Sequence, residues 1–278
     1  MTYPFVYILF IGGAADKESF LWGNINLPFT HLKPHHIVGS LAELFAQEIN
    51  TKFGLTTSEH QHISLQYYKI DYLSYTEAFF EELKNFDPLS DTLIEPNCER
   101  YINIKKNIGP RTKVYIVGHS LGGWNGAHLA YILAKCGVDI EYLVTLDPVG
   151  TGNHEIALIS PLMKKAQIYA YEPLPIAKYW FNIQARHIDI SKKQMAGLLE
   201  DWVAWAGGQW LISKKYATVK IQVCESTNFS HKEASAMFTY RTKLGKSAHK
   251  YLLKAVIKAI NKQKRQHLNP LHWMAPWI

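Results

Sequence analysis

Val114-Tyr-Ile-Val-Gly118-His119-Ser120-Leu121-Gly122-Gly123 joins two kinds of element through a turn flanked by glycine. The four apolar residues at its start predict a strand buried on both faces, as in a parallel sheet. The small and apolar residues from Trp124 to Cys136, stopped by Gly137, predict a helix. Between them stands Gly-x-Ser-x-Gly. A strand, a tight turn and a helix around that pattern make a nucleophile elbow, in which a strained serine lifts its hydroxyl above the sheet. Gly118 and Gly122, two before and two after Ser120, are the positions where side chains would collide across the turn.

Outward from the elbow, apolar runs predict further strands at Phe5–Ile11, Ile63–Ile70, Ile140–Leu146, Tyr179–Gln184 and Thr218–Val223. Helical spacing predicts helices over Ile37–Phe53 (with Gly54 as its stop), Thr76–Phe86, Asp91–Asn107, Gln194–Ala206 and Lys232–Tyr240. Strands alternating with helices predict an α/β domain with a mostly parallel central sheet flanked by helices. A chain of 278 residues, 47% hydrophobic and 19% charged, can bury one such core. The expected division is a main domain over 1–245, with 149–216 as a cap- or lid-bearing insertion, and a basic C-terminal segment over 246–278.

Serine is a weak nucleophile until a base takes its proton, and the base needs a third group to fix its tautomer. His231 follows the last predicted strand, where such a base must come from; His187 is the reserve. His119 lies inside the elbow, on the side away from Ser120. Asp147 ends the strand after the elbow, where Pro148 turns the chain; Asp189 and Asp201 are its reserves. Ser120, Asp147 and His231 thus stand in the chain order Ser–acid–His. The Leu121 N–H, at a helix start, and the Ala14 N–H, past the strand that ends in Gly12-Gly13, are the candidate oxyanion donors. The chemistry expected is ester cleavage through an acyl-enzyme, with no metal or organic cofactor.

These residues resemble the α/β-hydrolase superfamily, and within it the lipases. Gly118-His119-Ser120-Leu121-Gly122 is similar to the lipase form of the elbow. Leu146-Asp147-Pro148 resembles the acid placement of pancreatic-type lipases, and Ile11-Gly12-Gly13-Ala14-Ala15-Asp16 their oxyanion strand end. Asp201-Trp-Val-Ala-Trp-Ala-Gly-Gly-Gln-Trp210 and His231-Lys-Glu-Ala-Ser-Ala-Met237 are similar to stretches of bacterial lipase-like hydrolases. The resemblance implies a serine hydrolase with an ester or phospholipid substrate. A small-ester esterase, thioesterase or amidase is the alternative within that chemistry. A catalytically silent protein that binds a membrane or a partner is the alternative outside it.

Composition narrows the setting. Cys98, Cys136 and Cys224 make no even-numbered disulfide framework. The N-terminal stretch has no basic segment before its apolar run, so no signal peptide is expected and a cytoplasmic location is the default, with export by a signal-independent route as the alternative. His31, His35, His36, His60 and His62 lack cysteine partners and are expected at the surface rather than around a metal. The net charge of +7 is concentrated at the end: Ala234–Ile278 holds nine Lys and Arg and no Asp or Glu. Lys246, Lys250, Lys254, Lys258 and Lys262 recur every four residues, followed by Trp273 and Trp277. Two readings stay open for this segment: peripheral contact with an anionic membrane, or a helix docked by its apolar side with a solvated lysine face. No nucleic-acid-binding motif accompanies the charge.

Overall fold

The computed structural model describes residues 3–18, 20–21, 31–32, 34–54, 67–150, 166–186, 204, 207–212 and 214–268. Its frame is a six-stranded sheet of β1 (Val6–Gly12), β4 (Tyr68–Ser74), β5 (Lys113–His119), β6 (Asp139–Leu146), β7 (Ala177–Gln184) and β8 (Val219–Ser226), in the spatial order β4-β1-β5-β6-β7-β8. Every neighbouring pair is parallel. A separate two-residue ladder, β2 (Phe20–Leu21) with β3 (His31–Leu32), lies outside it.

A parallel sheet needs cover on both faces, and strand alternation supplies it. On β1, Tyr7, Leu9 and Ile11 point to one side, with α2 (Glu99–Lys105) and α3 (Leu121–Lys135). Val6, Ile8 and Phe10 point to the other, with α1 (Ile37–Phe53), α4 (Ala234–Thr239) and α5 (Ala248–Leu268). On β6 the parity changes at Glu141, where the register with β5 shifts. Ile140 therefore faces the first layer and Tyr142 the second. Glu141, left over by the shift, takes the ammonium groups of Lys113 and Lys178.

The strand at the elbow, β6, β7 and α1 fall where expected, and α1 ends on Gly54 at φ 64°. Three other expectations need correction. The strand read at Ile63–Ile70 is β4, at Tyr68–Ser74, while residues 63–66 lie outside the described part. Thr76–Phe86 holds only turns and a short 3-10 helix, Glu81–Leu83. The reason is long-range: Phe80 is extended, and its N–H goes to the Tyr169 hydroxyl at 3.1 Å, not to a helical carbonyl. The helix read at Asp91–Asn107 begins only at Glu99, because Pro96 drives the residue before it out of helical geometry. The candidate helix Gln194–Ala206 lies outside the described residues apart from Ala204.

α5 is part of the core. Leu252, Val256, Ala259 and Ile260 are buried with the strands of the second face. No helix among the described residues is long and apolar enough to cross a membrane.

Candidate active site

The six strands of the main sheet present their carboxyl ends to one edge, where open parallel sheets bind ligands. β5 ends there at His119, and α3 begins at Leu121. Ser120 between them has φ 57° and ψ −129°, a conformation that costs a non-glycine residue about 1–3 kcal/mol. Its backbone is pinned on both sides: its N–H donates to Leu146 O at 3.1 Å, and its carbonyl accepts from Gly123 at 2.9 Å and Val149 at 3.1 Å. The elbow glycines are required by close approach. A Cβ on Gly118 would lie 2.3 Å from the Gly122 carbonyl oxygen, and one on Gly122 2.3 Å from that of Ile11.

Asp147 ends β6, one strand over. Its φ is 42°, and its N–H donates to Ile183 O at 2.8 Å, so β7 holds the turn. The carboxylate is buried and accepts the Ala185 N–H at 3.1 Å. The Gln209 amide donates to both carboxylate oxygens, at 2.9 and 3.0 Å.

His231 sits in the loop after β8. The helix expected over Lys232–Tyr240 is α4, which starts only at Ala234. The loop is fixed by Thr227, which donates from N–H and hydroxyl to Gln184 O, by Arg186 N–H on Phe229 O, and by the Glu233 carboxylate on Ser230 N–H. These bonds bring the imidazole between the other two residues. Nδ1 is 2.6 Å from Asp147 Oδ2, and Nε2 is 2.9 Å from Ser120 Oγ. The three side chains named from sequence thus form one hydrogen-bonded line, all at least nine-tenths buried.

The two candidate oxyanion donors flank it. Leu121 opens α3, so its N–H is one of those a helix leaves without an internal acceptor. Gly13 presses directly on the serine: a Cβ there would lie 2.5 Å from Ser120 Cβ. Ala14 follows it. Among the described residues neither the Leu121 nor the Ala14 N–H has a hydrogen-bond acceptor. An apolar group of Tyr75, Leu121, Val149 and Ala204 packs beside them, with Ala14, Ala166 and Ile168 at its margin.

Three residues around this line were not assigned supporting parts from sequence. His119 lies against His231, with Nε2 2.7 Å from the His231 carbonyl oxygen and ring centroids 4.7 Å apart. Burial first, then the neighbouring His231, lowers its pKa to about 3, so it is a neutral donor. Gln209 grips Asp147; its only sequence signal is the preceding Gly207-Gly208, with Gly208 at φ 74°. Asp16 anchors the Gly13–Ala14 loop by accepting from Val38 N–H at 3.2 Å and the Tyr72 hydroxyl at 2.8 Å. It is a buried acidic side chain three residues past Gly13, and that burial is not readable from residue type.

The reserve residues His187, Asp189 and Asp201 lie outside the described part, as do His60, His62, Trp273 and Trp277 and about half of 149–216. His35 and His36 are exposed. No group of metal-ligating side chains occurs among the described residues.

The parallel sheet, the elbow closing its third strand in spatial order and the layers on both faces are the α/β-hydrolase fold. No protein-family description matches the chain, and no curated protein does. Among solved structures it is similar to a protein of Xanthomonas campestris pv. campestris placed among the hydrolases of the alpha/beta superfamily, at 12% identity over 94% of this chain and 98% of that one, with a TM-score of 0.30. It is also similar to the Vlm2 thioesterase domain bound with a dodecadepsipeptide, at 12% identity over 83% and 89%, with a TM-score of 0.34. Neither likeness bears on what this chain acts upon.

Proposed function

We propose that the protein is a serine carboxylic-ester hydrolase acting through Ser120, His231 and Asp147, with a lipid ester as its substrate class. The observation that carries the reading is the continuous line Asp147–His231–Ser120 at 2.6 and 2.9 Å. In this reading Ser120 Oγ attacks the ester carbonyl carbon while His231 Nε2 takes its proton. The Asp147 carboxylate accepts the Nδ1–H and stabilises the imidazolium that forms. The tetrahedral oxyanion takes hydrogen bonds from the Leu121 and Ala14 N–H groups. On collapse the C–O bond to the leaving alcohol breaks, and His231 returns the proton to that alcohol. Water, deprotonated by the same imidazole, then cleaves the acyl-enzyme to a carboxylic acid and free Ser120.

The lipid part of the reading rests on the Gly118-His119-Ser120-Leu121-Gly122 elbow and on the acid at the end of the very next strand. The apolar group of Tyr75, Val149 and Ala204 beside the oxyanion donors suits an acyl chain over a charged substituent.

The test is hydrolysis of a monomeric short-chain ester, a triacylglycerol emulsion and phospholipid vesicles, each with the Ser120→Ala protein as control. The reading predicts turnover that vanishes in Ser120→Ala and is fastest on an aggregated lipid. Faster turnover of the monomeric ester would overturn the lipid assignment, and no turnover of any of the three would overturn the ester hydrolase.

A further inference from the structure

The cationic end of the chain is organised in space as well as in sequence. Lys246, Lys250, Lys254, Lys258 and Lys262 are all exposed and follow one side of α5 and the turn before it. Successive lysines are about 6 Å apart along the axis, giving a ridge of roughly 24 Å. None of the five has a carboxylate partner among the described residues. Lys264, by contrast, is turned onto the rings of Phe53 and Tyr67.

The ridge does not end in open surface. Lys262 also lines a cavity of about 850 Å³ at the amino edge of the sheet, between the turns before β5 and β6. Lys105, Arg111 and Lys113 line it too, and Asp139 is the one acid lining it among the described residues. Lys178 pairs with Asp139 at 2.9 Å, Glu141 takes Lys113, and Glu95 takes Lys105 at 3.3 Å. What remains unneutralised among the described residues is Arg111 and Lys262, a net positive pocket continuous with a positive ridge.

The other side of the helix limits what this surface can do. Leu252, Val256 and Ile260 are at most 1% exposed against the sheet. α5 therefore has no apolar face to insert into a bilayer, unlike a helix that lies in the membrane interface. Its contact must be electrostatic and made by a docked, rigid element.

We infer that the α5 lysine ridge and the Arg111–Lys262 cavity form a docking face for anionic phospholipid headgroups, with the ridge spread over the charged surface and the cavity taking a headgroup phosphate. The face is separate from Ser120: the cavity lies at the amino ends of β5 and β6, and the serine follows the carboxyl end of β5. Arg111 supplies the planar, always-charged donor set that suits phosphate.

The test is co-sedimentation of the full chain with vesicles of phosphatidylcholine alone or mixed with phosphatidylglycerol, at low and high salt. Using the Ser120→Ala protein keeps ester hydrolysis out of the readout, so this inference stands or falls apart from the proposed activity. Binding is expected only to the mixed vesicles and weakens as salt rises. Each lysine removed should cost about five-fold, so Lys250→Gln, Lys254→Gln, Lys258→Gln and Lys262→Gln together should cost on the order of several hundred-fold. Arg111→Gln alone, at the cavity, should cost about five-fold, and an unchanged melting temperature shows that each variant is folded. Equal binding to phosphatidylcholine alone, no binding to either, unchanged binding by the folded quadruple variant, or tighter binding to duplex DNA than to the mixed vesicles would each overturn the inference.

Discussion

His119 Nε2 stands 2.7 Å from the backbone carbonyl oxygen of His231, and their rings are 4.7 Å apart. The residue before the elbow serine thus holds the loop that carries the imidazole facing that serine. This contact links β5 to the β8–α4 loop across 112 residues of chain. His119→Gln can retain a donor toward the carbonyl, whereas His119→Phe cannot. His119→Phe is expected to lower kcat for ester hydrolysis about ten- to a hundred-fold with little change in KM, and His119→Gln to recover part of the loss. Equal kcat in both variants and the wild type would remove the positioning role.

The same residue ties stability to pH. His119 and His128 are both buried, and burial is the first cause that lowers each pKa to about 3 from the ordinary 6.5. Between those values the unfolded chain binds protons that the folded chain refuses. Stability is therefore full above about pH 6.5 and falls as pH drops toward the lowered values, by on the order of 1 kcal/mol per pH unit for each histidine. Urea unfolding at pH 5 and pH 7 checks this: the midpoint should be lower at pH 5, and His128→Gln should flatten the difference. A midpoint independent of pH would contradict it.

Asp147 receives donors from Gln209, from Ala185 and from His231. Asp147→Asn should lower kcat on the order of a thousand- to ten-thousand-fold, because an amide cannot hold the required tautomer. Gln209→Ala leaves the carboxylate with its other two donors and should cost about three- to ten-fold in kcat, without abolishing turnover. Steady-state kinetics on one soluble ester separates the two; a Gln209→Ala loss as large as that of Asp147→Asn would contradict the ranking.

Two glycines separate folding from chemistry. A Cβ on Gly122 meets backbone oxygens of Ile11 and Gly12 at 2.3 and 2.6 Å, with no flexible group to yield. Gly122→Ala should lower stability by about 3 kcal/mol or more. A Cβ on Gly13 meets Ser120 Cβ at 2.5 Å and Oγ at 3.0 Å. Gly13→Ala forces Ser120 itself, and not only its hydroxyl, to move, so it should lose at least about a hundred-fold in kcat while costing less stability than Gly122→Ala. Thermal melts beside kinetics distinguish the pair, and equal effects of both variants on both readouts would contradict the assignment.

The site was legible in sequence where local pattern and sheet position coincide. The apolar run before Gly118 makes β5, the glycines make the turn, and Asp147 and His231 follow from the strands they end. Residues 76–86 were not legible because a distant group decides them: Tyr169 takes the Phe80 N–H that a helix would have used. The supporting residues escaped for the same reason. Asp16, His119 and Gln209 look like ordinary polar residues until folding brings Tyr72, the His231 carbonyl and Asp147 against them. The apolar half of α5 was visible as helical spacing, but only the sheet shows that it is buried.

The central claim is that Ser120 is an activated nucleophile. Treating the folded wild-type protein with a fluorophosphonate and mapping the adduct by peptide mass spectrometry tests it directly. Covalent label on the Ser120 peptide, absent in Ser120→Ala and strongly reduced in His231→Ala, is the expected result. A folded wild-type protein that stays unlabelled, or carries its label on another residue, would contradict the account.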